Sequence, residues 1–229
     1  MLAILGIALS LGMTGAVANA RAASEDLLAF IRAVEAPGGY DDYERRIPVA
    51  PPRKLTRMTV SEVLEWQQVI RRKGATSSAA GAYQIIHATL ADLVATHGIS
   101  RHALFDAEMQ DRLARLLLAR CGARPKPNET ARHPRYANCL ARIWAGLPLV
   151  YGPERGRSAY HRVAGNRALV LPEAVLALLA SHSPTSWRAV IVEARSRSAA
   201  RPVAFRVVPD SVRKDMNVRV WTVDPYASQ

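Results

Sequence analysis

Residues 24–39 read SEDLLAFIRAVEAPGG, and the reading of the rest of the chain turns on this stretch. Ser24 is a helix-capping residue, and Glu25 and Asp26 place two carboxylates at the positive end of a helix. Leu27, Leu28, Ile31 and Val34 recur at helical spacing, so an amphipathic helix is predicted, stopped by Pro37-Gly38-Gly39. Glu35 follows Ile31 by four residues and Leu28 by seven, which puts a carboxylate at the end of the apolar stripe. Partial desolvation and the negative helix end both favour a protonated acid there, the state a general acid needs. The alternative is a glutamate turned just off the stripe into solvent.

Working outward, residues 40–57 are polar and turn-rich, with Pro48, Pro51 and Pro52, and predict a loop or short hairpin. Thr59-Val60-Ser61-Glu62 is a capping box, with Met58 and Val63 placed for a hydrophobic staple, and this helix closes in Arg71-Arg72-Lys73-Gly74. A small-residue loop, Ala75 to Gly81, leads through Tyr83-Gln84-Ile85 to a helix from about Thr89 to His97, ended by Gly98. Asp106 caps another, with Met109, Leu113, Leu116 and Leu117 on one face and Gly122 beyond its end. After a polar connector over 123–135, helices are expected from Tyr136 to Leu147, stopped by Pro148, and from Pro172 to Ala180. Beyond Ser181 the texture becomes β-branched and partly alternating. The expected class is α+β, mostly α: a domain over 24–180 and a small β-rich extension over 185–229.

Composition bounds the function. The chain of 229 residues is 49% hydrophobic with 22% charged residues, which argues against disorder. Lys+Arg number 31 against 19 Asp+Glu, a formal charge of +12 that suits a polyanionic neighbourhood. Aromatics are only 6% and the longest basic run is Arg71-Arg72-Lys73, so no nucleic-acid partner is expected. The six histidines include no i,i+4 pair, so neither a metal nor a cofactor is expected, and no G-x-S-x-G elbow or P-loop occurs.

Leu2 to Leu11 are apolar and lead to Ala18-Asn19-Ala20, the pattern of an export signal over 1–20, with cleavage as late as residue 23. No Lys or Arg precedes the apolar run, and it fades at Gly12, too early for a comfortable transmembrane helix. The expectation is a periplasmic or secreted protein, with no stable membrane insertion after cleavage. Cys121 and Cys139 are the only cysteines, and in an oxidising compartment they read as a disulfide worth about 3 kcal/mol. Two buried thiols on facing helices are the alternative.

The helix ending in Glu35, the polar stretch after it and Ser78-Ala79-Ala80-Gly81-Ala82-Tyr83-Gln84-Ile85 resemble phage-type lysozymes and lytic transglycosylases, the lambda-endolysin branch most nearly. The similarity continues through Phe105-Asp106, Gln110-Asp111, Ile143-Trp144-Ala145-Gly146-Leu147-Pro148 and Tyr151-Gly152, covering roughly residues 25 to 180 in order. The resemblance implies a lysozyme-like fold that cleaves the MurNAc–GlcNAc β-1,4 bond of peptidoglycan. It implies Glu35 as catalytic acid/base, with Gln84, Tyr83 and Ser78 lining the sugar groove and Tyr151 at its far side; a core place for Tyr83 and a loop hydroxyl for Ser78 are the alternatives. A hydrolase normally needs a second carboxylate, for which Asp41, Asp42 and Glu44 are candidates. The resembled branch works with one glutamate and closes a 1,6-anhydro ring, and that outcome is preferred here. A wall-binding protein without turnover is the non-enzymatic rival. Residues 185–229 carry eight Arg/Lys against four carboxylates and have no counterpart in the branch, which fits a surface for anionic wall or a protein partner.

Overall fold

The structure is a computed structural model that describes residues 24–45, 47–163 and 166–181. The expected export segment and the expected β-rich extension lie outside the described residues. Within them the chain is mostly helical, and extended pairing is confined to isolated bridges.

Helix α1 spans 24–35, with Leu27, Leu28, Phe30, Ile31 and Val34 all buried. Each such side chain removed from water contributes about 1.5–3 kcal/mol, so this face anchors the helix. Pro37 has no N–H to continue the ladder, and Gly39 takes φ +80°, so the chain turns sharply into the short 3₁₀ turn Gly39–Asp41. Helix α2 is Val60–Arg72, and its capping box is formed in full: Glu62 N donates to Thr59 Oγ1 at 3.2 Å and Thr59 N to Glu62 Oε2 at 2.7 Å. Met58 and Val63, the two ends of the expected staple, are both fully buried.

Helix α3 is His87–His97, closed by Gly98 at φ +58°. It begins two residues before the expected Thr89, because its first N–H is satisfied from a distance: His87 N donates to Ser78 Oγ at 3.0 Å. No local capping residue marks that start. Helix α4, Ala107–Ala119, begins at Asp106, whose side chain accepts from Met109 N at 2.9 Å.

Helix α5 runs His133–Ile143, three residues earlier at its start and four earlier at its end than the expected Tyr136 to Leu147. Pro134, within the expected polar connector, sits in the first turn, where its missing N–H is no loss. At the other end Trp144 turns extended, and Ala145 to Leu147 are drawn out of the helix by tertiary partners described below. Helix α6, Pro172–Ala180, lies where expected and packs on α5, as α3 packs on α2.

The stretch 40–57 is not a hairpin of its own. It pairs away from itself: Tyr43 bridges Ala80, and Gly81 N donates to Asp42 O at 2.8 Å. Trp66 on α2 holds the loop down, with its Nε1 donating to Val49 O at 3.0 Å and its ring edge-on to Tyr43 at 5.9 Å.

Cys121, just past α4, and Cys139, on α5, form a disulfide with Cα atoms 5.8 Å apart. Reduction should lower the melting temperature by an amount matching about 3 kcal/mol, and unreduced protein should take up no thiol reagent. Free thiols in protein isolated without reductant would show that the bridge does not form. Among the described residues no helix is long and apolar enough to cross a membrane.

Candidate active site

Glu35 is the last residue of α1 and is 6% exposed. The apolar stripe carries its carboxyl inward, where Oε1 accepts the backbone N–H of Gly146 at 2.9 Å. Gly146 in turn accepts Leu169 N at 2.8 Å, so the segment leaving α5 is gripped on both sides. A Cβ at Gly146 would lie 2.9 Å from both Glu35 Oε1 and Val34 Cγ1 and 3.0 Å from Leu169 Cδ1. Glycine is needed here for close approach and not for backbone freedom.

Gly146→Ala should therefore displace the Glu35 carboxyl. The expected stability loss is about 1–3 kcal/mol from overpacking. Denaturant unfolding of the variant beside its parent checks this; an unchanged midpoint would mean that the Glu35–Gly146 contact tolerates a methyl group.

One turn before Glu35, Arg32 ties α1 to the loop after Gly81. Its guanidinium donates to Tyr83 Oη at 2.7 Å and to Asp111 Oδ1 at 3.2 Å. The same Asp111 oxygen accepts Tyr83 Oη at 2.6 Å and Tyr40 Oη at 3.0 Å. Arg32 also lies over the Tyr40 and Tyr83 rings, 5.6 and 5.8 Å from their centroids. Burial, reinforced by the Asp111 carboxylate, pushes the Tyr83 hydroxyl well above the usual tyrosine range, so it stays a donor. Three side chains, from α1, the Gly39–Asp41 turn and the Tyr83 turn, thus converge on one carboxylate oxygen of α4.

The Tyr83 turn is held from several directions. Ala80 and Ile85 exchange backbone hydrogen bonds at 3.1 and 2.9 Å. Gln110, fully buried on α4, accepts Ala82 N at 2.8 Å and donates to Phe105 O at 2.9 Å and Tyr40 O at 3.0 Å. Gln67 on α2 donates to Ser78 O at 2.6 Å and Ile85 O at 2.8 Å. Inside this frame Gln84 takes φ +48°, a left-handed conformation rare outside glycine, and its Nε2 donates to Gly81 O at 2.9 Å. Such backbone conformations persist only where surrounding structure over-determines them.

The expected groove residues thus occupy different surroundings. Ser78 and Tyr83 are each 1% exposed, one capping α3 and the other closing the Asp111 cluster, so they shape the turn from inside. Gln84 lies at the bend itself, and Tyr151 is 50% exposed. Tyr151 is placed by α5, where Asn138 accepts Val150 N at 2.7 Å and donates to Tyr151 O at 3.3 Å.

The candidate second carboxylates are tied down locally. Asp41 Oδ1 accepts both the N–H and the hydroxyl of Thr56 at 2.9 Å. Asp42 accepts Tyr43 N and Gly38 N, each at 3.0 Å. Glu44 is half-buried. Among the described residues no group of three or more His, Cys, Asp or Glu is placed to hold a metal ion.

Compared with protein-family models, curated proteins and solved structures, the chain finds no match.

Three positions of this site carry no role in the sequence reading. Arg32 has one visible signal, a cation in the middle of an otherwise apolar helix face three residues before Glu35. Gln110 and Asp111 stand in a stretch noted only for its likeness, and nothing local shows that they reach back to residues 40 and 82–83. Their partners are 28 to 79 residues distant, beyond the range of any periodicity argument.

Proposed function

We propose that the chain cleaves the β-1,4 bond between MurNAc and GlcNAc in peptidoglycan outside the cytoplasm, as a lytic transglycosylase of lysozyme-like fold with Glu35 as acid/base. The observation that carries this reading is the Glu35–Gly146 hydrogen bond, which joins the first of the resembled stretches to the Ile143–Pro148 stretch across 111 residues. A buried carboxyl at a helix end is suited to hold a proton for a leaving group, and the Gly146 N–H steadies the carboxylate left once the proton is given.

In the proposed reaction Glu35 gives its proton to the glycosidic oxygen as the bond to the MurNAc anomeric carbon breaks. The resulting carboxylate takes the proton of the C6 hydroxyl, whose oxygen closes on that carbon. No water is consumed, and Glu35 ends protonated as it began. Intramolecular capture profits from proximity, equivalent to a very high local nucleophile concentration. Gln84 Nε2 is engaged by Gly81, so its amide oxygen is the atom left to orient a sugar hydroxyl or acetamido N–H. Tyr151 offers an exposed ring to a sugar face. The engagement of Asp41 and Asp42 favours single-carboxylate chemistry over the two-carboxylate hydrolase.

Digestion of purified sacculi in heavy-oxygen water tests the outcome. The expected products end in 1,6-anhydro-MurNAc, one water lighter than hydrolytic products and free of label. Label in most new MurNAc ends would replace this mechanism by hydrolysis, with Asp41, Asp42 and Glu44 then tested as the second carboxylate. No soluble muropeptide at all would favour the wall-binding reading.

A further inference from the structure

Two residues after Gly146 the chain folds into a small hairpin-like loop. Pro148 bridges Ser158, Leu149 N donates to Arg157 O at 2.8 Å and Gly156 N to Leu149 O at 2.8 Å. The loop is rooted on the segment that touches Glu35, and its tip carries the half-exposed Tyr151. Arginines dominate it: Arg155, Arg157 and Arg162 have side chains 51%, 63% and 79% exposed. Arg142, on α5, is also exposed and donates to Asn138 O at 3.1 Å.

Among the described residues two carboxylates pair with the three arginines Arg155, Arg157 and Arg162. Glu154 is shared by Arg157 at 3.3 Å and Arg162 at 2.9 Å, with His161 Nε2 at 3.4 Å, and Glu173 on α6 pairs with Arg155. The excess is local. Residues 24–45, on the other side of the Glu35 contact, carry six carboxylates against Arg32 and Arg45. Exposed arginine forks match carboxylates in bidentate geometry, and two guanidinium groups that share one carboxylate, Glu154, keep further N–H donors to turn outward.

We infer that this loop is a second recognition surface, which binds the free carboxylates of the stem peptides on the glycan strand. The inference rests on the function proposed above, because a stem peptide is attached to the MurNAc whose bond is cleaved. Tyr151 meets the glycan side of the ligand, and Arg155, Arg157 and Arg162 meet the peptide carboxylates. The enzyme then selects peptide-bearing strands over strands stripped of peptide.

Two measurements on the full chain test this. In the first, peptide-bearing strands and strands stripped by an amidase are cleaved side by side. The expected preference in kcat/KM for peptide-bearing strands is roughly tenfold, the scale of one charge-assisted hydrogen bond. Arg157→Gln combined with Arg162→Gln should bring that ratio close to one, and an unchanged ratio overturns the inference. In the second, an isolated stem tetrapeptide with free carboxylates is titrated against its fully amidated form by NMR. The free form alone should shift the side-chain N–H signals of Arg155, Arg157 and Arg162; equal response to both forms, or to neither, overturns the inference. A protein that binds the peptide here but cleaves neither strand would sink the proposed function and leave this surface standing. Cleavage with no preference and no peptide binding would sink the surface alone.

Discussion

Glu35→Gln should leave the fold intact and cost at least ~10²-fold in glycan cleavage, because it removes the transferable proton and little else. Glutamine has the same shape, and its amide oxygen can still accept Gly146 N–H, so the contact now seen at 2.9 Å has a substitute. Stability by denaturant unfolding should therefore stay within about 1 kcal/mol of the parent. The comparison that gives the result meaning is with Asp41→Asn, Asp42→Asn and Glu44→Gln, read per folded molecule. Asp41→Asn should destabilise by loosening the Thr56 contacts, yet each of the three should keep most of its turnover. A loss at any one of them equal to that at Glu35 would restore the two-carboxylate hydrolase. Retention of most activity by Glu35→Gln itself would remove Glu35 from the chemistry.

The largest stability effect is expected at Gly81→Ala. Gly81 has φ +75°, where any Cβ is strained by about 1–2 kcal/mol. The new Cβ would also lie 2.1 Å from Gln110 Oε1 and 2.7 Å from its Cδ. Gln110 is fully buried and makes three hydrogen bonds, to Ala82 N, Phe105 O and Tyr40 O, so it has nowhere to go without leaving buried groups unsatisfied. Each such group costs about 1–3 kcal/mol, and together with the backbone strain the loss reaches a third or more of a typical domain's stability. Thermal unfolding of Gly81→Ala beside Gly74→Ala separates the causes, since Gly74 has φ +85° with open space around it and tests the backbone term alone. Equal losses at the two positions would show that the Gln110 clamp contributes nothing.

The local features were legible because their causes are local. The α1 stripe and its stop at Pro37, the Thr59–Glu62 capping box, the Asp106 cap and the Pro172 start each depend on residues within one or two turns. A period of 3.6 residues and a capping side chain can be read without knowing what lies across the core. Glu35 was legible for the same reason, as the next position on a stripe. What the sequence by itself determined, then, is a mostly helical chain with a carboxyl carried inward at the end of its first described helix.

Tertiary structure decided the rest, because those features depend on partners far away in the chain. The start of α3 rests on Ser78, nine residues back, and the end of α5 on Glu35 and Leu169. The directions of Ser78 and Tyr83 are set by Asp111, Arg32 and the first N–H of α3, which no local pattern records. A pattern of apolar spacing records which face is buried, but not which polar atoms meet once two buried faces close on each other. Only the folded chain brings Gly146 to 2.9 Å from Glu35 and gathers Arg32, Tyr40 and Tyr83 on one oxygen of Asp111.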